Sequence, residues 1–466
     1  MPQFVGSINR YPGRASLAWY AVLILLGFCM LFFVPQSAVN PEQPISFLDA
    51  LFTSTSASCV TGLVVRSTGH DFSLLGQCVI ISQVQLGGIG IMTVTTLILV
   101  QFDKRGSLRR RRAVAETLGG GEKGDVRSIL RNVLLLTFLC EATGFALLAA
   151  YNHWNYERFM LIGLWDSRFE ATWHALFHSI SAFCNAGFAL QDSSITPFAD
   201  SWVVNGVIGS LIVIGGLGFP VVNDLWASRR RPRGDRWPGL QLHTKIMLIG
   251  TVVLLSTGFV SFLVLEADGV LSGAPIGERI IKAALHCASC RTAGFNSVEV
   301  SDLRNATLFV IVLLMMIGAG PCSTAGGIKV TTAAIILLRA WASFRGYSRI
   351  NLFRRTLPPA TVERAVATTM LFLVAAGIAL TALLVIEQYD GPIEKPFINI
   401  SFEVISALGT VGLSTGITSD LSDAGRVLVI VLMVVGRLGP ITTFVALSHA
   451  ERTEPVEFVN EEPLVG

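Results

Sequence analysis

Ser58-Cys59-Val60-Thr61-Gly62-Leu63 is a short run of small and hydroxyl residues that ends in a glycine followed by a bulky apolar residue. The pattern returns as Cys184-Asn185-Ala186-Gly187-Phe188, Arg291-Thr292-Ala293-Gly294-Phe295 and Gly409-Thr410-Val411-Gly412-Leu413. Each copy follows a short amphipathic stretch and lies between two long apolar ones, so the chain reads as four degenerate copies of helix, half-helix, glycine loop and helix. That layout suits a cation pore.

The composition around these loops sets the class. With 52% hydrophobic and 14% charged residues over 466 positions, an ordinary soluble protein is excluded. The expected fold is an all-α polytopic membrane protein: four repeats of helix, pore half-helix, filter loop and helix around a central pore. Its eight membrane spans fall at 16–35, 72–101, 127–151, 202–227, 243–266, 304–342, 363–387 and 425–449. The repeats divide as 1–103, 104–228, 229–342 and 343–450, with a short polar tail at 451–466. The sixth span is too long for one straight helix and contains Gly318-Ala319-Gly320-Pro321 and Ala325-Gly326-Gly327, which predict a break in mid-membrane. Segments 46–57, 169–183, 277–289 and 397–408 are too short to cross; they are expected to enter partway, return as the glycine loops and meet on a shared axis.

Arginine placement gives the orientation. Arg109 to Arg112, then Arg229, Arg230, Arg231, Arg233 and Arg236, then Arg345, Arg349, Arg354 and Arg355 follow the second, fourth and sixth spans. The opposite loops carry Glu42, Asp192, Glu266, Asp390 and other carboxylates. The positive-inside rule puts the basic loops and both termini in the cytoplasm, and the basic runs then need no nucleic-acid partner. The first apolar run reads as a retained span, not a cleaved leader.

The glycines have a chemical purpose. Lining a narrow pore with backbone carbonyls calls for alternating left- and right-handed dihedrals, which a Cβ atom makes costly. Such carbonyls can replace the water shell of a monovalent cation, with the negative ends of the half-helix dipoles facing the cavity. The candidate K+ filter is Cys59, Val60, Thr61 and Gly62 from the first loop, and Asn185, Ala186 and Gly187 from the second. The third adds Thr292, Ala293 and Gly294, and the fourth Thr410, Val411 and Gly412. Arg291 is expected to point behind its loop and brace the backbone. In the broken sixth span Gly318, Gly320, Ser323, Thr324, Gly326 and Gly327 form a candidate polar plug. Lys329 and Arg437 lie in apolar surroundings that imply a cavity nearby, Lys329 with the alternative of reaching to the cytoplasmic interface.

Together with Ala325-Gly326-Gly327-Ile328-Lys329-Val330 and Val435-Gly436-Arg437-Leu438-Gly439-Pro440, the four loops resemble the Trk/Ktr/HKT superfamily of potassium transporters, most similar to its KtrB branch. The resemblance runs from about 16 to 449. It implies that Gly62, Gly187, Gly294 and Gly412 are the selectivity-filter glycines, with potassium preferred over sodium. It also implies that 318–328 is an intramembrane gating loop and that Arg437 faces it. A homodimer is implied, with one pore per protomer, seated in a bacterial cytoplasmic membrane on a ring of nucleotide-binding regulatory subunits (RCK type, like KtrA or TrkA). The chain has no dinucleotide fingerprint, so ATP, ADP or NAD would act through that partner; no cofactor is expected on this chain, K+ is the transported ion and Na+ a candidate activator. The chain departs from the family at Pro321-Cys322, a stiffer start to the gating loop.

Other signals are weaker. His286-Cys287-Ala288-Ser289-Cys290 lacks the second half of a zinc site, so no transition metal is expected. His174, His178 and His286 on the half-helices are expected to make buried hydrogen bonds to neighbouring elements and not to relay protons. Glu141 and Glu403 could pair with a buried arginine or anchor the filter backbone. No nucleophile–base pair or metal dyad lies in the spans, so an enzyme is not expected. The alternative function is a secondary transporter of another cation, Na+-permeable or Na+-coupled, or of a small solute.

Overall fold

The computed structural model describes residues 12–39, 45–103, 126–389 and 397–439. The basic run Arg109 to Arg112, the end of the eighth expected span and the tail 451–466 lie outside them.

The chain is mostly helical. Helix α1 (Pro12–Phe33) leads to the short α2 (Phe47–Ser58) and to α3 (Leu74–Asp103). Then come α4 (Val126–Trp154), the short α5 (Arg168–Cys184), α6 (Trp202–Leu217) and α7 (Phe219–Ser228). Helix α8 (Leu242–Leu265) is followed by the short α9 (Ile276–Ser289), α10 (Asn305–Met316) and α11 (Val330–Phe344). A hairpin of β1 (Asn351–Leu352) and β2 (Arg355–Thr356) joins this part to α12 (Pro359–Tyr389), the short α13 (Phe397–Gly409) and α14 (Asp423–Leu438).

Several starts are written locally. Ser46, Ser167, Ser201 and Ser422 each cap a helix by accepting the backbone N–H of Asp49, Glu170, Val204 and Gly425. Among the described residues four helices are long and apolar enough to cross a bilayer, at Ser16–Phe33, Arg131–Trp154, Leu242–Leu265 and Pro359–Gln388. Their outer faces leave Leu25, Leu139, Val260 and Ile378 exposed, as a lipid-facing surface requires. The short α2, α5, α9 and α13 are buried inward, with Phe52 to Ser58 and Ile400 to Gly409 wholly enclosed.

The packing closes on itself. Helix α3 packs on α5, α6 on α9, α10 on α13, and α14 returns to α2. Each short helix is therefore held by the helix that precedes it in space and by its own neighbours in sequence, and the four C-terminal ends converge.

One expected span is bent. Segment 202–227 is not one straight helix: α6 and α7 are bent by 95° at Gly218, whose φ is +85°. Hydropathy runs on through the break, but Gly218-Phe219-Pro220 stops one helix in a left-handed residue and starts another with proline in its first turn. Segment 304–342 is two helices, α10 and α11, separated by residues 317–329.

Candidate functional site

The four glycine loops meet edge to edge. A Cβ added to Gly62 would overlap the Ala186 carbonyl, one on Gly187 the Ala293 carbonyl, one on Gly294 the Val411 carbonyl and one on Gly412 the Thr61 carbonyl. All four approaches are closer than 3.0 Å, and each touches the loop next in chain order until the fourth returns to the first. Gly62, Gly187, Gly294 and Gly412 thus form one closed ring of backbone.

Dihedrals repeat around it. Each glycine has positive φ (+95°, +70°, +78° and +90°), and so does the residue two places before it: Val60 at 55°, Asn185 at 57°, Thr292 at 70° and Thr410 at 48°. Thr61, Ala186, Ala293 and Val411 between them do not. Left-handed backbone costs a non-glycine residue roughly 1–2 kcal/mol, so the surroundings must hold it.

The hold is visible in hydrogen bonds. The N–H of Thr61, Ala186 and Val411 donates to the carbonyl of Ser56, Ser181 and Ser406, at 2.8 Å in each case. The same serines act through their side chains: Ser56 and Ser406 hydroxyls accept the N–H of Gly62 and Gly412 at 3.1 Å, and the Ser181 hydroxyl donates to the Phe188 carbonyl at 2.7 Å. The third loop differs: Ala288 stands at the serine's place and offers no hydroxyl, and Ala293 N–H donates to the Ser289 carbonyl at 3.0 Å.

Residues after the glycines line an open cavity of ≈ 390 Å³ whose floor is the ring, with Asp192, Glu299 and Arg66 at its wall. Below Arg66, Asp49 is buried and bridges two guanidinium groups, Arg66 at 2.8 Å and Arg426 at 3.1 Å. The Asp49 hydrogen bond holds the Arg66 pKa above its ordinary value.

Residues before the glycines face the strap formed by 317–329. Gly326 abuts the Thr410 hydroxyl and the Gly409 carbonyl, and Gly318 abuts the Thr292 methyl. Gly318 N–H donates to Ile328 O at 2.9 Å and Ile328 N–H to Met316 O at 3.1 Å, which folds the strap back on itself. Gly320 N–H donates to Gly216 O at 2.8 Å, and the Ser323 hydroxyl to Gly320 O at 2.6 Å. Cys322, the departure at the start of the strap, is left-handed with φ 56°.

Two cations grip the strap. Arg437, 4% exposed, donates to the Thr324 carbonyl, to the Gly87 carbonyl at 3.2 Å and to the Tyr20 hydroxyl at 3.2 Å. Lys329 Nζ donates to Ala325 O at 2.6 Å and Gly326 O at 3.4 Å, turned back onto the strap. A buried guanidinium needs such acceptors, since charge at membrane depth costs about 3 kcal/mol on insertion scales.

The remaining candidates fall around this axis. The Thr61, Thr292 and Thr410 hydroxyls are buried without a protein hydrogen-bond partner, in or just before the ring. Arg291 is buried beside Gly216, Thr251 and Ala319, away from the open cavity, and its Nε has no protein partner. Glu141 accepts from Gln85 at 3.0 Å, while its backbone carbonyl accepts the Ser179 hydroxyl at 2.6 Å. Glu403 accepts the Ser414 and Thr418 hydroxyls and so ties down the segment that follows Gly412. The histidine expectation is corrected. His178 Nδ1 is 2.8 Å from the His174 carbonyl one turn back in the same helix, not from a neighbouring element, its Nε2 is unpartnered, and His286 lies tilted against Phe262 at 4.5 Å with both ring nitrogens unpartnered. Its helix face is occupied by an aromatic ring where an acceptor was expected.

Known proteins resemble this chain in sequence and fold. Residues 30–454 match the TrkH family model, described as a cation transport protein. The chain belongs to that family. It is 37% identical to Ktr system potassium uptake protein B of Vibrio alginolyticus over 92% of this chain and 90% of that protein. It is 36% identical to Ktr system potassium uptake protein B of Bacillus subtilis over 95% of this chain and 94% of that protein. The crystal structure of the potassium transporter TrkH from Vibrio parahaemolyticus superimposes with a TM-score of 0.65 over 91% of this chain and 84% of that one, at 20% identity, and so shares the fold. This cation transporter is a multi-pass membrane protein.

Proposed function

We propose that the chain is the ion-translocating subunit of a potassium uptake system, with four repeats around one pore and K+ crossing the ring of Gly62, Gly187, Gly294 and Gly412 before it meets the strap. The observation that carries this is the ring itself: four left-handed glycines in mutual contact, each repeated two residues earlier by a left-handed residue. In that geometry backbone oxygens supply coordination without a charged side chain, the chemistry suited to a dehydrated monovalent cation. The partnerless hydroxyls of Thr61, Thr292 and Thr410 add oxygens along the same path. The relatives named for potassium uptake support K+ as the ion.

The strap closes the path beneath the ring, and Arg437 holds it shut through Thr324. The membrane potential contributes about 2.3 kcal/mol per charge per 100 mV to inward movement. The protein acts as a homodimer in a bacterial cytoplasmic membrane with both termini inside, and a nucleotide-binding partner supplies ATP, ADP or NAD control. Na+ acts as an activator of transport, not as its cargo.

The test is rubidium uptake and growth at low potassium in a bacterium stripped of its own potassium systems, comparing the intact chain with Gly294→Ser in the presence of the regulatory subunit. The reading expects uptake that sodium does not match, weakened or made sodium-permeable by the serine. An inserted, expressed chain that moves no monovalent cation, or a serine variant indistinguishable from the parent, overturns it.

A further inference from the structure

The break at Gly218 leaves α7 with a task the pore does not explain. Helix α6 has 16 residues and so descends about 24 Å from Trp202, most of the hydrocarbon thickness, before α7 turns away at 95°. On the orientation given above, α7 therefore lies along the cytoplasmic interface. Its inner side buries Phe219, Val221 and Asp224. Its far end and the turn behind it face outward: Trp226 is 62% and Trp237 46% exposed, and the Arg229 guanidinium stacks on the Trp226 ring at 4.9 Å.

That surface is strongly cationic and ordered. Residues 229–236 carry five arginines against one carboxylate, Asp235. The segment is tied down by Lys245 Nζ donating to Pro238 O at 3.0 Å and by Gln241 N–H donating to Asp224 at 2.9 Å. Exposed indoles beside guanidinium groups, on a helix lying in the interface plane, match the headgroup layer of an anionic leaflet.

The other end of α7 touches the strap. Phe219 N–H points at the Cys322 carbonyl at 3.4 Å, Gly218 packs against the Pro321 carbonyl, and the last turn of α6 accepts Gly320 N–H through Gly216. A force on α7 is thus delivered to the backbone of the strap through the Gly218 bend.

We propose that α7 and the arginine turn behind it bind anionic phospholipid headgroups of the cytoplasmic leaflet, and that this binding sets the position of the strap. The inference rests on the pore reading for its orientation. The test reconstitutes the purified full chain in phosphatidylcholine vesicles with increasing phosphatidylglycerol, measuring rubidium flux and, separately, phosphatidylglycerol retained in native mass spectrometry. The parent is compared with a joint Arg229→Gln, Arg230→Gln, Arg233→Gln variant and with the corresponding lysine variant. Each surface charge is worth about fivefold in binding, so the glutamine variant should retain phosphatidylglycerol on the order of a hundredfold more weakly. It should keep the flux seen in pure phosphatidylcholine and lose the rise that phosphatidylglycerol gives the parent; the lysine variant should keep the rise. A glutamine variant that responds to phosphatidylglycerol like the parent overturns the proposal. So does a lysine variant as unresponsive as the glutamine one, or a glutamine variant whose only loss is co-purification with the regulatory subunit. A parent that moves no rubidium in any lipid defeats the pore reading instead, while the lipid-retention arm still decides this one.

Discussion

The glycine ring and the strap beside it are both irregular backbone enclosed by the helices, yet they are held differently. Each ring loop is pinned by its own half-helix, through short bonds to the last serines and a backbone that neighbours on both sides block from moving. The strap is fastened partly to itself and partly from outside. Beyond internal bonds such as Lys329 Nζ to Ala325 O and Gly318 N–H to Ile328 O, its ties run to other elements, some of them long, such as Thr324 N–H to Gly215 O at 3.5 Å, and its firmest outside grip comes from the Arg437 side chain. A region fastened to itself keeps its shape when its surroundings shift; one fastened by a few borrowed contacts can let go as a unit. Under the proposed function, the first would select and the second would gate.

The sharpest way to break this contrast is at the ring. Gly412→Ala places a Cβ against the Thr61 carbonyl at φ +90°. Left-handed strain and overlap together cost roughly 3 kcal/mol, so potassium uptake should fall on the order of a hundredfold in a membrane-inserted chain. Unchanged uptake would mean that the ring is not the narrow point. The strap should respond in the other direction. Arg437→Gln removes charge-assisted bonds worth about 1.5–3 kcal/mol, and uptake without the regulatory subunit should rise by about tenfold. A fall in uptake with intact expression would assign Arg437 to conduction and not to closure.

Smaller effects sharpen the same comparison. Ser406→Ala removes the acceptor of Gly412 N–H, and the rubidium-to-sodium ratio should drop about fivefold, for a lost bond of about 1 kcal/mol, while total flux is kept. No change in the ratio would place the loop's rigidity elsewhere. Asp49→Asn weakens the tie between Arg66 and Arg426 at the rim. Arg66 is about half exposed, so the expected loss is under about 1 kcal/mol, read as a slightly lower unfolding temperature with selectivity intact. A large selectivity change there would make the rim part of the filter.

The sequence made some of this legible and hid the rest for physical reasons. The ring glycines and the interrupted sixth span stand out because glycine and proline report backbone needs directly. Val60, Thr292 and Thr410 do not stand out as left-handed, because β-branched residues disfavour that region and only the half-helix serines and neighbouring loops impose it. The bend at Gly218 lay inside an unbroken apolar run, although Gly218-Phe219-Pro220 carries the stop and start signals that could have exposed it. The strap's anchoring by Arg437 was foreseeable only through the family resemblance. The Glu403 grip on Ser414 and Thr418 was not foreseeable, since a carboxylate near a membrane segment does not name its partners.

The most direct test is to locate the ion: crystals of the full chain grown in rubidium or thallium, with anomalous scattering collected at the ring. The account predicts a peak on the axis enclosed by Gly62, Gly187, Gly294 and Gly412, replaced weakly or not at all by sodium. A transport-competent protein with no peak at the ring, or with its peak among other residues, would contradict the account.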